Sequence, residues 1–214
     1  PDWKRFGMSK MDDSIYKIFE KRVYDANICT SQNCKVKFQG DALPKATFNT
    51  YAKMYTKSDE ICTFTSDRWS VCIAPSDDGF EHVSFVNGIC TTKGGSHVDH
   101  VSGILANGVI EDMAKKIKLR PQQVKNAFFV FVKATLVNPS FSSQVKSECT
   151  LKPQDFGSKF EPPKTFIKNI LKTSVQSELM ALSKFREMKE LKKTDGSRKS
   201  KITGIPKLDD ANKA

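Results

Sequence analysis

An α/β sandwich with a projecting helix is the fold that this 214-residue sequence predicts. Three observations predict it. Strand-like alternation recurs between residues 35 and 86, a run of aromatic and β-branched residues fills 127–137, and apolar residues at helical spacing flank both. A hydrophobic share of 38%, including 15 Phe, suffices for a substantial core. No apolar run approaches the roughly 20 residues that a membrane-crossing helix needs, and no signal-peptide pattern opens the chain, so the expectation is a soluble protein that is not secreted.

Asp12 or Asp13 can cap a first helix, in which Ile15, Ile18, Phe19, Arg22 and Val23 follow helical spacing up to about Asn27. Lys35-Val36-Lys37-Phe38 alternates charged and apolar side chains, as a half-buried strand does, and Gly40-Asp41 turns it. Phe48, Tyr51, Ala52 and Tyr55 make a short helix. Strand signals at 68–73 and 81–86, joined by Pro75-Ser76-Asp77-Asp78-Gly79, are expected to pair as a hairpin with a longer loop.

Residues 98–118 carry Val101, Ile104, Leu105, Ile110, Met113 and Ile117 in a helical pattern, despite Gly103 and Gly108, and the helix has ended by Pro121. The run at 127–137 reads as a buried central strand. Residues 138–163 are polar and rich in Ser, Pro and Gly, too long for an idle connection, and read as a functional loop. Pro162-Pro163 opens what reads as a single long helix over 163–193, with Lys184, Arg186, Lys189, Lys192 and Lys193 towards its negative end. Residues 194–214 read as a flexible tail. Pro1 in place of an initiator Met and the polar end at Ala214 give the expectation of a piece of a longer chain.

The formal charge of +11 favours a polyanionic partner, nucleic acid first. Cys29, Cys34, Cys62, Cys72, Cys90 and Cys149 contain no Cys-x-x-Cys pair, so no metal site is expected and the thiols read as reduced, in an intracellular compartment. Gly94-Gly95 and His97 lie between a strand and a helix. They match neither the Walker pattern nor the dinucleotide fingerprint, and read as a structural turn that His97 hydrogen-bonds; an anion at exposed amides of the helix start is the other reading.

Phe85-Val86-Asn87 followed by Thr92-Lys93-Gly94-Gly95-Ser96-His97-Val98-Asp99 resembles the transducer signature of eukaryotic-type type IIA DNA topoisomerases. Gln123-Val124-Lys125-Asn126, then Asn138-Pro139-Ser140-Phe141-Ser142-Ser143-Gln144-Val145-Lys146, then Asp155-Phe156-Gly157-Ser158 and Gly204-Ile205-Pro206-Lys207-Leu208-Asp209-Asp210-Ala211-Asn212 follow in that family's order. Short loops, at 57–68 and after the middle helix, resemble a compact version of the kind expected from a large DNA virus.

The resemblance implies a transducer sandwich like domain 2 of ribosomal protein S5, with a left-handed crossover that periodicity does not reveal. It divides the chain into a transducer domain at 1–160, with an ATP-sensing loop at 138–150, a connecting helix at 161–193, and a tail at 194–214 leading to a DNA-cleavage core. Gln144 and Lys146 are implied to contact the γ-phosphate of ATP, with Val145 where the family carries Thr. Lys115, Lys116, Lys118 and Arg120 fall where related enzymes bear a longer lysine-rich loop that touches DNA.

The implied parent is a homodimeric, ATP- and Mg2+-dependent isomerase that passes one DNA duplex through another. Its nucleotide-binding domain precedes this segment and its cleavage tyrosine follows, so the segment alone is expected to bind no cofactor and catalyse nothing. Its location would be the nucleus for a cellular enzyme, or the host cytoplasm for a virus replicating there. The alternative is a stand-alone basic nucleic-acid-binding module, against which the aromatics sit in core-like strands instead of alternating with lysines.

Overall fold

The computed structural model describes residues 2–31 and 33–195. The expectations for 196–214, including most of the tail and the motif from Gly204, lie outside the described residues. Helix α1 spans Asp13–Cys29, with Asp12 as its cap accepting from the Ser14 amide at 3.1 Å. A small ladder of β1 (Lys37–Phe38) and β2 (Asp41–Ala42) and a short α2 (Phe48–Ala52) follow. The main sheet is built from β3 (Cys62–Thr65), β4 (Trp69–Pro75), β5 (Glu81–Val86) and β6 (Ile89–Cys90). Next come β7 (Gly94–Gly95), α3 (Ser96–Met113), α4 (Pro121–Asn126), and β8 (Phe128–Ala134), the strand at the middle of that sheet. The last elements of the described residues are β9 (Glu148–Cys149), α5 (Lys164–Ile170) and α6 (Ser174–Asp195).

The main sheet has the order β3-β4-β8-β5-β6. The hairpin expected between 68–73 and 81–86 does not form, because β8 lies between them. It pairs antiparallel with β4 (Trp69↔Ala134) and parallel with β5 (Glu81↔Phe129). The strands do run antiparallel. Two strand spacings are about 10 Å, which the loop between Pro75 and Glu81 spans easily, so the most apolar strand can take the centre. β4 instead forms its hairpin with β3 (Cys62↔Ile73).

Both faces of the sheet are covered, which is why β4 and β8 read as continuous apolar runs. Val71, Ile73, Val130 and Val132 face one core with Val101, Leu105, Phe166 and Leu179; Cys72, Ala74, Phe85 and Phe131 face the other with Ile28, Phe48, Tyr51 and Ala52. On that second side buried Asp25 accepts from the Tyr51 hydroxyl at 2.6 Å and pairs with Lys21 and Arg22, fastening α1 to α2. The Ile18 and Phe19 positions of α1 remain exposed.

Two helices differ from expectation. α3 stops at Met113, five residues early, and residues 114–116 form a turn before α4. The single helix expected over 163–193 is broken into α5 and α6. The Thr173 hydroxyl donates to the Ile170 carbonyl at 2.6 Å, and the Ser174 amide donates to the Glu60 carboxylate at 2.8 Å, a cap that starts a new helix. That amide also holds the Glu60 carboxyl below its usual range. Val175 and Leu179 of α6 are buried, whereas Leu182, Phe185, Met188 and Leu191 are exposed, so the second half of α6 projects beyond the core.

Candidate functional site

The segment 138–150 is organised from its base upward. Where β8 ends, the Asn87 side chain donates to the Leu136 carbonyl at 3.0 Å and accepts from its amide at 2.8 Å. Beyond it the Thr150 amide bonds the Ser140 carbonyl, Phe141 bridges Cys149, and the Ser142 amide bonds the Glu148 carbonyl at 3.1 Å. The arms therefore pair. A turn closes them, with the Lys146 amide donating to the Ser143 carbonyl at 3.0 Å and Lys146 in the left-handed region at φ 57°. Gln144 and Val145 stand at the tip, Val145 81% exposed, and the Lys146 ammonium lies 5.7 Å over the Phe141 ring.

The base is clamped to the start of α3. β7 pairs parallel with β9 (Gly94↔Glu148, Gly95↔Cys149), the Lys93 amide donates to the Ser147 carbonyl at 2.9 Å, and the Ser96 hydroxyl donates to the Leu151 carbonyl at 2.5 Å. Gly95 has φ 120°, and a Cβ there would overlap the Cys149 carbonyl; a Cβ on Gly94 would overlap the His82 ring. The glycine pair thus serves close backbone approach to β9.

His97 is fully buried, its Nε2 3.2 Å from the Thr91 hydroxyl, which lies 2.6 Å from that of Ser84. Burial, with nearby His82, pushes its pKa down to about 3, so it is neutral at physiological pH. Its polar contact fastens the strand-to-helix turn. All six cysteines are free, and burial pushes Cys29 and Cys72 up to about 11, away from thiolate chemistry.

The basic residues occupy the other end of α3. Lys115 and Lys116 lie in the turn after Met113, Lys118 in the link to α4, and Arg120 at the cap of α4, where its amide donates to Gln123 Oε1 at 2.9 Å. All four are exposed, and none forms a salt bridge among the described residues. The structure does not bring them beside Gln144 and Lys146: α3, 18 residues long and so roughly 27 Å, separates the two groups. That Asn87, Ser96 and Cys149 shape the loop is not legible in the sequence; the glycine pair at 94 and 95 is its one signal that backbone approaches closely there.

Comparison with solved structures defines the class. The chain is similar to the ATPase region of Saccharomyces cerevisiae topoisomerase II, with a TM-score of 0.78 and 34% identity, covering 86% of this chain and 49% of that one. It is also similar to the ATPase and transducer domains of DNA topoisomerase II from Balamuthia mandrillaris, with a TM-score of 0.76 and 28% identity over 85% of this chain and 47% of that one. The fold is thus the mixed α/β fold of a topoisomerase II ATPase region.

A family model described as DNA gyrase B matches residues 35–190, and the chain belongs to that family, as a fragment of type IIA topoisomerase kind. DNA topoisomerase 2 of Penicillium chrysogenum is 40% identical across the whole chain, which spans 14% of that relative's length.

Proposed function

We propose that this chain is the ATP-sensing transducer segment of a type II DNA topoisomerase, coupling γ-phosphate contact to movement of a DNA gate. The observation that carries the reading is the paired, clamped segment 138–150, which offers Gln144 and Lys146 at an exposed tip. A lysine ammonium neutralises terminal phosphate charge and a glutamine amide donates a hydrogen bond to it, so both contacts are stronger to ATP than to ADP. Such a difference in affinity is what biases a two-state element. Val145, largely exposed, packs nothing, so a hydroxyl at this position is not needed to hold the loop.

The tip supplies two phosphate donors, and the remainder of the ATP and Mg2+ site belongs to a preceding nucleotide-binding domain. α5 and α6 would carry the displacement towards a following cleavage core, and Lys115, Lys116, Lys118 and Arg120 would contact DNA phosphates as point charges. The crossover β5–α3–β8, two parallel neighbours joined through a helix, supports the likeness to domain 2 of ribosomal protein S5. The parent acts as a homodimer on DNA, while this chain alone hydrolyses no ATP.

The test is ATP turnover by the chain fused behind the nucleotide-binding domain of its parent. Lys146→Ala is expected to remove most turnover while the fusion still binds nucleotide. Normal turnover in that variant would overturn the loop assignment.

A further inference from the structure

The turn with Lys115 and Lys116, and the link with Lys118 that follows it, do not stand alone on the surface. They form one wall of an open cleft of about 430 Å³, whose other wall is the projecting half of α6, with Arg186, Glu187 and Glu190. Small side chains, Ala114 and Ser183, line it as well. Four cations from two separate elements therefore face one space, against two carboxylates.

The carboxylates do not cancel the cations. Ser183 donates to Glu187 at 3.4 Å, holding that side chain along its own helix. Arg186 Nε is 3.3 Å from Glu190, an i,i+4 pair whose side chains are 40% and 67% exposed, and exposed pairs of this kind are weak. A guanidinium has five N–H donors, and this contact engages one of them. The described part of the cleft carries no aromatic platform, so it is suited to phosphates and not to bases.

We infer that this cleft seats the sugar–phosphate backbone of duplex DNA, with Arg186 of α6 as a phosphate contact opposite the three lysines. The inference rests on the proposed DNA contact of the 115–120 segment and adds a second element to it. Because α6 leads out of the domain, DNA held between the two walls would bridge the sheet domain and the projecting helix.

The experiment is binding of the 214-residue chain to a short labelled duplex of mixed sequence, by fluorescence anisotropy across a salt series. Each phosphate contact adds about 0.9 to the slope of log affinity against log salt. Arg186→Gln is expected to weaken binding several-fold and lower that slope by about 0.9. The pair Arg186→Gln with Glu190→Gln, which preserves net charge, is expected to lower the slope equally.

Lys37→Gln, an equal loss of charge in β1 on the α1 side of the sheet, is expected to leave the slope unchanged. Equal effects of Lys37→Gln and Arg186→Gln would overturn the cleft in favour of net charge alone. Loss of binding in a Lys115, Lys116 and Lys118→Gln variant, with Arg186→Gln silent, would overturn the cleft and leave the lysine contact standing. No effect from either set would overturn both.

Discussion

The two ends of α3 carry the two candidate functional segments, and they are built in opposite ways. Segment 138–150 is tied to residues some fifty positions away through Lys93, Gly95 and Ser96, and its arms pair with each other. The basic segment at 114–120 makes hydrogen bonds to near neighbours, such as Lys116 and Ile117 to Met113, and Arg120 to Gln123. Directional contact with one phosphate needs donors fixed to within a fraction of an ångström, whereas neutralising a polyanion needs charge in the right region. The tied segment is the precise one, and the loosely held one is the charged one.

Substitution at the tied end should be costly. Gly95→Ala puts a Cβ against the Cys149 carbonyl at a backbone conformation reserved for glycine, and is expected to cost about 3 kcal/mol, lowering Tm by roughly 10 °C. Thermal unfolding measures this, and amide exchange at 142–150 should accelerate as the β7–β9 pairing fails. An unchanged Tm would show that the clamp is not needed to hold the loop.

The same end should make stability depend on pH. His97 has a folded pKa near 3 against about 6.5 when unfolded, so below pH 6.5 the unfolded state binds a proton that the native state refuses. The His97 contribution is fully present above pH 6.5 and is expected to fall by about 2 kcal/mol by pH 5 and further towards pH 3. Burial lowers His82 and His100 too, which adds to the same sign. Denaturant titrations of His97→Gln should show a shallower fall, and an unchanged slope would deny His97 its neutral buried role.

At the loose end the effect on stability should be small. Replacing Lys115, Lys116 or Lys118 singly with Ala is expected to change unfolding free energy by no more than about 0.5 kcal/mol, because each is exposed and none is in an ion pair among the described residues. A larger loss by denaturant titration would mean that the segment is structurally committed, and would erase the contrast.

What the sequence disclosed was local. Asp12 announces its helix by its own side chain, and the run at 127–137 declares burial by composition alone. Asn87-Gly88 is a two-residue hairpin signal, and with φ of 50° and 80° it turns β5 into β6. What stayed hidden was set by distant partners. The break between α5 and α6 depends on Glu60, far upstream, while apolar spacing runs on through it. The strand order depends on β8 outcompeting β5 for the side of β4. Gln144 and Lys146 stand out only through resemblance, and nothing near them in sequence names Ser96 and Cys149 as the loop's support.

The insertion of β8 between β4 and β5 also sets an order of assembly. Trp69 must wait for Ala134, and Glu81 for Phe129, before the centre of the sheet exists. Sheets closed by such distant partners fold slowly, and until then β4 and β5 each present an unpaired edge. During synthesis the β3–β4 hairpin, α1 and α2 can form early, but the loop tip emerges after the strand that completes the sheet. A chain truncated before residue 128 would keep two open edges facing a gap, and aggregation would be its expected fate.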